Sequence, residues 1–186
     1  KISMSLPINY QLLVKESPVA YIREWRAISD YKKILELPNV KLIHPTVRSD
    51  EIIKKSSLVI SVASTAGIEA TFYNKPSIVF SDVLYDSLSS VYKIKNIAEL
   101  PTAIQKALNT KINVSELNKL VDFIHNNSFE FNWSKFGMDI SEQFFFGGHL
   151  VDVEISESKM KSFLQSHKTY FKILAEEHLQ KINQCI

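Results

Sequence analysis

The sequence predicts an α/β fold: a parallel sheet of short strands with helices on both faces, followed by a helical C-terminal region. Three observations carry this. Apolar, β-branched runs alternate with short amphipathic segments from Lys1 to Thr110, the alternation that βαβ units produce. Runs such as Leu58-Val59-Ile60 are continuous rather than alternating, as in a strand covered on both faces. All six prolines lie at or before Pro101, whereas residues 156–183 hold neither proline nor glycine.

The elements follow in order. Tyr10 to Lys15 reads as a strand stopped at Ser17-Pro18. Asp30 to Leu37 is a short helix stopped by Pro38-Asn39, and Val40 to His44 is the next strand, stopped by Pro45. Ser49 to Lys55 is a helix with Ser49 as N-cap and Asp50-Glu51 in its first turn, where negative charge suits the macrodipole. Leu58 to Val62 is a strand, Ala66 to Tyr73 a helix, Pro76 to Phe80 a strand and Val91 to Lys95 a short last strand. Asn96 to Leu108 is a helix, with Ile97, Leu100, Ile104 and Leu108 near helical spacing. Ser115 to His125 is helical with Ser115 as cap, and Phe129 to Phe146 is aromatic-rich with breaks at Gly137 and Gly147-Gly148. Residues 156–183 read as one long helix or two stacked ones, expected to pack on the α/β core through Phe163, Tyr170, Ile173 and Leu174. The expected organisation is a Rossmann-like domain over 1–110 and a helical extension over 111–186.

Composition narrows the function classes. The formal net charge is +2, from 22 basic and 20 acidic residues, and no basic run interleaved with aromatics marks a nucleic-acid surface. Cys185 is the one cysteine, so no internal disulfide forms and a reducing, cytoplasmic setting is expected. No apolar run approaches the roughly 20 residues that span a bilayer, and no signal-peptide pattern opens the chain. The start at Lys1 reads as a cut from a longer protein. The five histidines fall at 44, 125, 149, 167 and 178 with no metal-ligand spacing, so no metal site is expected. No nucleophile elbow, Walker loop or dinucleotide glycine fingerprint is present.

The densest functional signal lies between Leu58 and Phe80. Gly67, the only glycine before Gly137, falls where strand gives way to helix. A glycine there lets backbone approach a ligand, while Ser64, Thr65 and the first helical N–H groups can bind an anion. Glu69, one turn into the helix, is within reach of a hydroxyl such as that of a ribose. The stretch is a candidate seat for a nucleotide diphosphate or monophosphate sugar. The plainer reading is an ordinary capped helix, with Ser64 or Thr65 as N-cap. Parallel sheets bind ligands beyond the carboxyl ends of their strands, which adds Lys15, His44, Asp82 and Tyr85 as candidates. The plainer accounts are a solvated strand-end lysine, a structural histidine and a turn-capping aspartate.

An ordered series of motifs runs through the same region. It comprises Leu6-Pro7, Tyr10, Leu12, Val14-Lys15-Glu16, Pro18, Leu37 to Ile43, Pro45, Ser49, Glu51 to Lys54, Ser56, Ser64 to Gly67, Glu69-Ala70 and Lys75 to Phe80. Over roughly residues 5–110 the series resembles the C-terminal half of the capsule polysaccharide biosynthesis glycosyltransferases, the group related to Kdo transferases. The resemblance implies a GT-B architecture, in which two Rossmann-like domains face each other across a cleft. It implies that this half binds a nucleotide-activated, CMP-linked acidic sugar as substrate, with no separate cofactor. The missing N-terminal domain would supply the acceptor site and general base for a glycan or lipid-linked acceptor, so this half alone would not turn over. The catalytic residues are therefore not assigned here.

One departure from the family pattern stands out. The family's donor site carries Lys-Glu-His-Pro, where this chain has Lys15-Glu16-Ser17-Pro18. Serine can hydrogen-bond a phosphate but cannot carry the imidazolium's charge. Arg23 follows the motif and is a candidate to offset that loss, or else a solvated residue beside Trp25. Two alternatives stay open: a nucleotide-sugar 2-epimerase-like GT-B enzyme, and a catalytically degenerate GT-B module that serves in assembly. The Phe144 to Gly148 segment is a candidate for peripheral contact with the inner face of a membrane or with the missing domain. Core packing is its favoured role.

Overall fold

A computed structural model describes residues 1–17, 26–150 and 152–185. Contacts divide it into two units, Lys1–Phe123 and Ile124–Ile186. The first is the α/β unit. In chain order it carries α1 (Ile2–Ser5), β1 (Leu12–Lys15), α2 (Ile28–Leu35), β2 (Val40–Ile43), α3 (Ser49–Lys55), β3 (Val59–Ser61) and α4 (Ala66–Phe72). After these come β4 (Ser77–Val79), β5 (Val91–Lys93), a 3-10 turn (Ile97–Glu99), α5 (Leu100–Leu108) and most of α6 (Val114–Asn126). The second unit holds the end of α6, then α7 (Trp133–Phe145), α8 (Glu157–Ser166) and α9 (Lys168–Cys185).

Among the described residues every strand pairing is parallel. The strands form a two-stranded sheet, β1-β2, and a three-stranded sheet in the order β3-β4-β5. Leu12 lies opposite Val40 and Lys15 opposite Ile43 in the first. In the second, Ser61 lies opposite Val79 and Val79 opposite Lys93. This is the mixed α/β, Rossmann-like class that the sequence predicts, with the sheet in two hydrogen-bonded pieces. β4 is the centre: Ser77, Ile78 and Val79 are all buried, as a strand with neighbours on both edges and helices over it must be.

The main core forms where α5 covers this sheet. Leu100, Ala103, Ile104 and Ala107 recur at one helical face and pack with Ile78 and Ile94, an apolar stripe at i, i+3, i+4 and i+7. Ile97 of the expected stripe is instead exposed in the 3-10 turn. That turn ends the chain's approach to α5: Asn96 Oδ1 accepts from the Ala98 N–H at 2.9 Å, and Pro101 sits in the first turn of α5, where its missing N–H costs nothing. α4 closes on Asn74, at φ 61. The Lys75 N–H donates to the Ala70 carbonyl and the Asn74 N–H to the Thr71 carbonyl, the double bond of a left-handed helix stop. Lys75-Pro76 then launches β4.

Several local expectations are corrected. Ser49 is the first residue of α3, and Arg48 holds the cap position without a side-chain cap bond. Asn113, not Ser115, caps α6: its Oδ1 accepts from the Ser115 N–H at 3.0 Å. Gly137 lies inside α7, and the break falls at Phe146, Gly147 and Gly148, all at positive φ. Of the two forms expected for the C-terminal segment, one helix or two, the structure has two, with the break at His167. Phe163 is buried in a cluster with Phe136 and Phe144, against which Phe131, Tyr170 and Phe171 pack, so the second unit has an aromatic core of its own.

Candidate functional site

The polar residues expected at the site follow the carboxyl ends of the strands, in two groups. Beyond β1, Lys15 is half-buried and Ser17 exposed. Between them Glu16 turns inward with its side chain only 9% exposed. It accepts from the Arg26 guanidinium at 2.7 Å and from the Tyr31 hydroxyl. The Tyr31 hydroxyl bond and then the Arg26 bond hold the Glu16 carboxyl below the usual carboxylate range, because both favour its charged form. Arg26 was not singled out in the sequence, yet it is the guanidinium seen beside this motif. Its charge is already engaged by Glu16. Pro18 and Arg23 lie outside the described residues. Beyond β2, His44 is exposed, and its Nδ1 accepts from the Thr46 N–H at 3.3 Å with Thr46 Oγ1 at 2.8 Å. The ring therefore closes its own turn through one nitrogen.

The second group surrounds the Ser64–Gly67 turn between β3 and α4. Thr65 takes the cap position of α4 but makes no side-chain cap bond. Its hydroxyl donates instead to Glu69 Oε1 at 2.7 Å, so the carboxylate expected to face a ribose is held back along its own helix. The Ser64 carbonyl accepts from the Tyr85 hydroxyl at 2.5 Å and from the Gly67 N–H at 3.3 Å. Tyr85 is 6% exposed, and burial pushes its phenol up. Gly67 is buried against it: a Cβ there would stand 2.5 Å from the Tyr85 hydroxyl and 2.8 Å from Cε2. The side of Gly67 expected to admit a ligand is the side that the ring covers.

Beyond β4 and β5 a charged cluster completes this rim. Lys93 Nζ binds Asp82 Oδ1 and Asp86 Oδ2, each at 2.7 Å. The Lys93 hydrogen bond holds the Asp82 carboxyl below its ordinary value, and the two carboxylates raise the lysine. Asp82 is almost fully exposed while Asp86 is not, so the outer partner is the one that solvent reaches. Lys93 lies inside the stretch Val91 to Lys95 expected as strand throughout, so its place at the rim is not marked by the local pattern.

The structure thus brings Ser64, Gly67 and Tyr85 into direct contact, pairs Thr65 with Glu69, and ties Asp82 to Lys93. Lys15, Ser17 and His44 stand at the ends of the other sheet. Among the described residues no group of three or more His, Cys, Asp or Glu could hold a metal ion. None of the described helices is long and apolar enough to cross a membrane.

Residues 4–93 match the model of the family described as capsule polysaccharide biosynthesis protein. The match runs from α1 to the end of β5, inside the first unit and across both groups of rim residues. It points to a role in surface polysaccharide synthesis. No curated protein and no solved structure matches the chain.

Proposed function

We propose that the capsule polysaccharide biosynthesis segment, residues 4–93, is the donor-binding half of a glycosyltransferase. The observation that supports it is the coincidence of that match with a parallel α/β unit whose polar side chains gather at the strands' carboxyl ends. In such sheets the crevice beyond those ends receives the ligand. The donor is a nucleotide-activated sugar, CMP-linked by resemblance, and it is a substrate rather than a cofactor. Its phosphate lies at the Ser64–Gly67 turn, where oriented backbone N–H groups stabilise the charge that develops on the leaving nucleotide. A second GT-B domain supplies the acceptor site for a glycan or lipid-linked acceptor.

Ser17, exposed where the family's histidine is expected, favours one second reading: a module whose donor site has decayed and that serves in assembly. Titration of the chain with CMP and UDP, followed by calorimetry or by amide resonances, decides between them. Saturable binding of CMP in preference to UDP supports the donor site. Absence of binding to either at millimolar concentration overturns it, and preference for UDP-N-acetylglucosamine turns the assignment toward a 2-epimerase-like enzyme.

A further inference from the structure

We propose that Tyr85 is the positioning residue of the Ser64–Gly67 turn and that Lys93 is the latch that holds Tyr85 against it. Three contacts on the segment between β4 and β5 carry this. The Tyr85 hydroxyl donates to the Ser64 carbonyl at 2.5 Å. Its ring fills the space beside Gly67 where a Cβ would stand, 2.8 Å from Cε2. Asp82 and Asp86, on either side of Tyr85 in sequence, both bind the Lys93 ammonium at 2.7 Å.

The consequence runs through one peptide plane. The bond between Ser64 and Thr65 is trans, as are all described peptide bonds, so its carbonyl and N–H point in opposite directions. A phenol that grips the Ser64 oxygen therefore aims the Thr65 N–H away from the buried ring. The same carbonyl also takes the Gly67 N–H, which ties the turn's closure to Tyr85. Lys93 contributes at a distance: its two ion pairs close the segment carrying Tyr85 onto the end of β5, limiting the ring's freedom to swing out. Tyr85 is thus assigned to shaping the turn rather than to touching the sugar. What the turn holds rests on the donor reading above; the positioning itself does not.

The test uses the whole 186-residue chain and amide NMR with and without CMP. Tyr85→Phe keeps the ring and deletes the hydroxyl. The Thr65 and Gly67 amide resonances are expected to move while those of Ile78 and Val79 stay. CMP affinity is expected to fall roughly twofold to tenfold, the range of one lost hydrogen bond. Lys93→Met is expected to shift both the Tyr85 and the Thr65 amides, and Lys93→Arg to restore them. An unmoved Thr65 amide in Tyr85→Phe overturns the positioning role. In Lys93→Met, shifts confined to Asp82 and Asp86 overturn the latch. Failure of the unaltered chain to bind CMP or UDP removes the donor reading alone, since the ligand-free amide shifts still decide the role of Tyr85.

Discussion

His167 stacks on Phe163, with 4.0 Å between ring centroids and an interplanar angle of 22°. The stack forms where α8 stops: the His167 N–H donates to the Phe163 carbonyl at 3.0 Å, and Nδ1 lies 3.1 Å from the same oxygen. On its other edge Nε2 lies 3.2 Å from Asp139 of α7. One side chain therefore joins the end of α8, an aromatic pile and a neighbouring helix. These contacts gather at the point where the Gly- and Pro-free C-terminal segment divides into two helices.

The centre of that pile is Phe136, buried and in ring contact with Phe131, Phe163, Tyr170 and Phe171. Phe136→Ala is expected to destabilise the second unit by about 3–5 kcal/mol, the range for a buried phenylalanine emptied to a methyl. Near-UV circular dichroism through a urea titration checks it. A midpoint unchanged from the parent chain would show that the aromatic cluster carries little of the unit's stability.

Gly67→Ala puts a methyl group against the Tyr85 ring, and no positive φ is at issue at this glycine. The expected cost is about 1–3 kcal/mol, as for overpacking a filled site. Pairing it with Tyr85→Leu, which clears the ring, should make the double variant less destabilised than the sum of the two. Denaturant midpoints of the four chains measure the coupling, and strict additivity would mean that the two residues do not meet.

Much of this architecture is legible in the chain, and the exceptions have physical causes. Strand and helix types follow from periodicity, which averages over many residues, so β4 and the body of α5 appear where the pattern puts them, while the first turn expected of α5 is a 3-10 turn. Caps depend on a single residue's register, so Asn113 rather than Ser115 was not readable. Gly137 suggested a break, but Phe136 and Phe144 on the buried face of α7 outweigh the modest cost of one helical glycine. Gly67 was legible as special; its reason was not. That reason is the ring of Tyr85, beyond the next strand, and local pattern says nothing about such a contact.

The Glu16 carboxyl is held low by Tyr31 and Arg26, which gives the stability an acid limb. Its folded pKa lies below the unfolded value of about 4.3. The stabilisation is therefore complete above that unfolded value and fades as pH falls through the folded one. Glu16→Gln should melt lower than the parent chain at neutral pH, with the gap closing below about pH 4. Melting temperatures of both chains across the acid range test this, and a constant gap would exclude the carboxylate as its source.

Ser17→His restores the residue expected by resemblance at an exposed position. An imidazolium bonded to phosphate is stronger than a neutral hydroxyl, so CMP affinity should rise about tenfold. The gain should be larger below about pH 6.5, the ordinary histidine value. Isothermal titration at pH 6 and pH 8 reads it. Equal affinity of both chains at both pH values would leave Ser17 outside any phosphate site.

The division of the strands into two parallel sheets also sets an order of assembly. Joining β4 to β5 brings Ser77 to Val91, the shortest of the three closures, and joining β3 to β4 brings Val59 to Ser77, only slightly longer. Joining β1 to β2 must bring Leu12 to Val40, the longest of the three. Chain entropy opposes the longer closure more strongly, and nonlocal pairing slows folding. The sheet built on β4 can therefore form early, with the β1–β2 pair arriving late on a surface already made. Pulse-labelled hydrogen exchange during refolding should protect the Ile78 and Val79 amides before those of β2. The later pairing would then be the one that carries Lys15 to the end of β1, after the sheet that carries the turn has already formed.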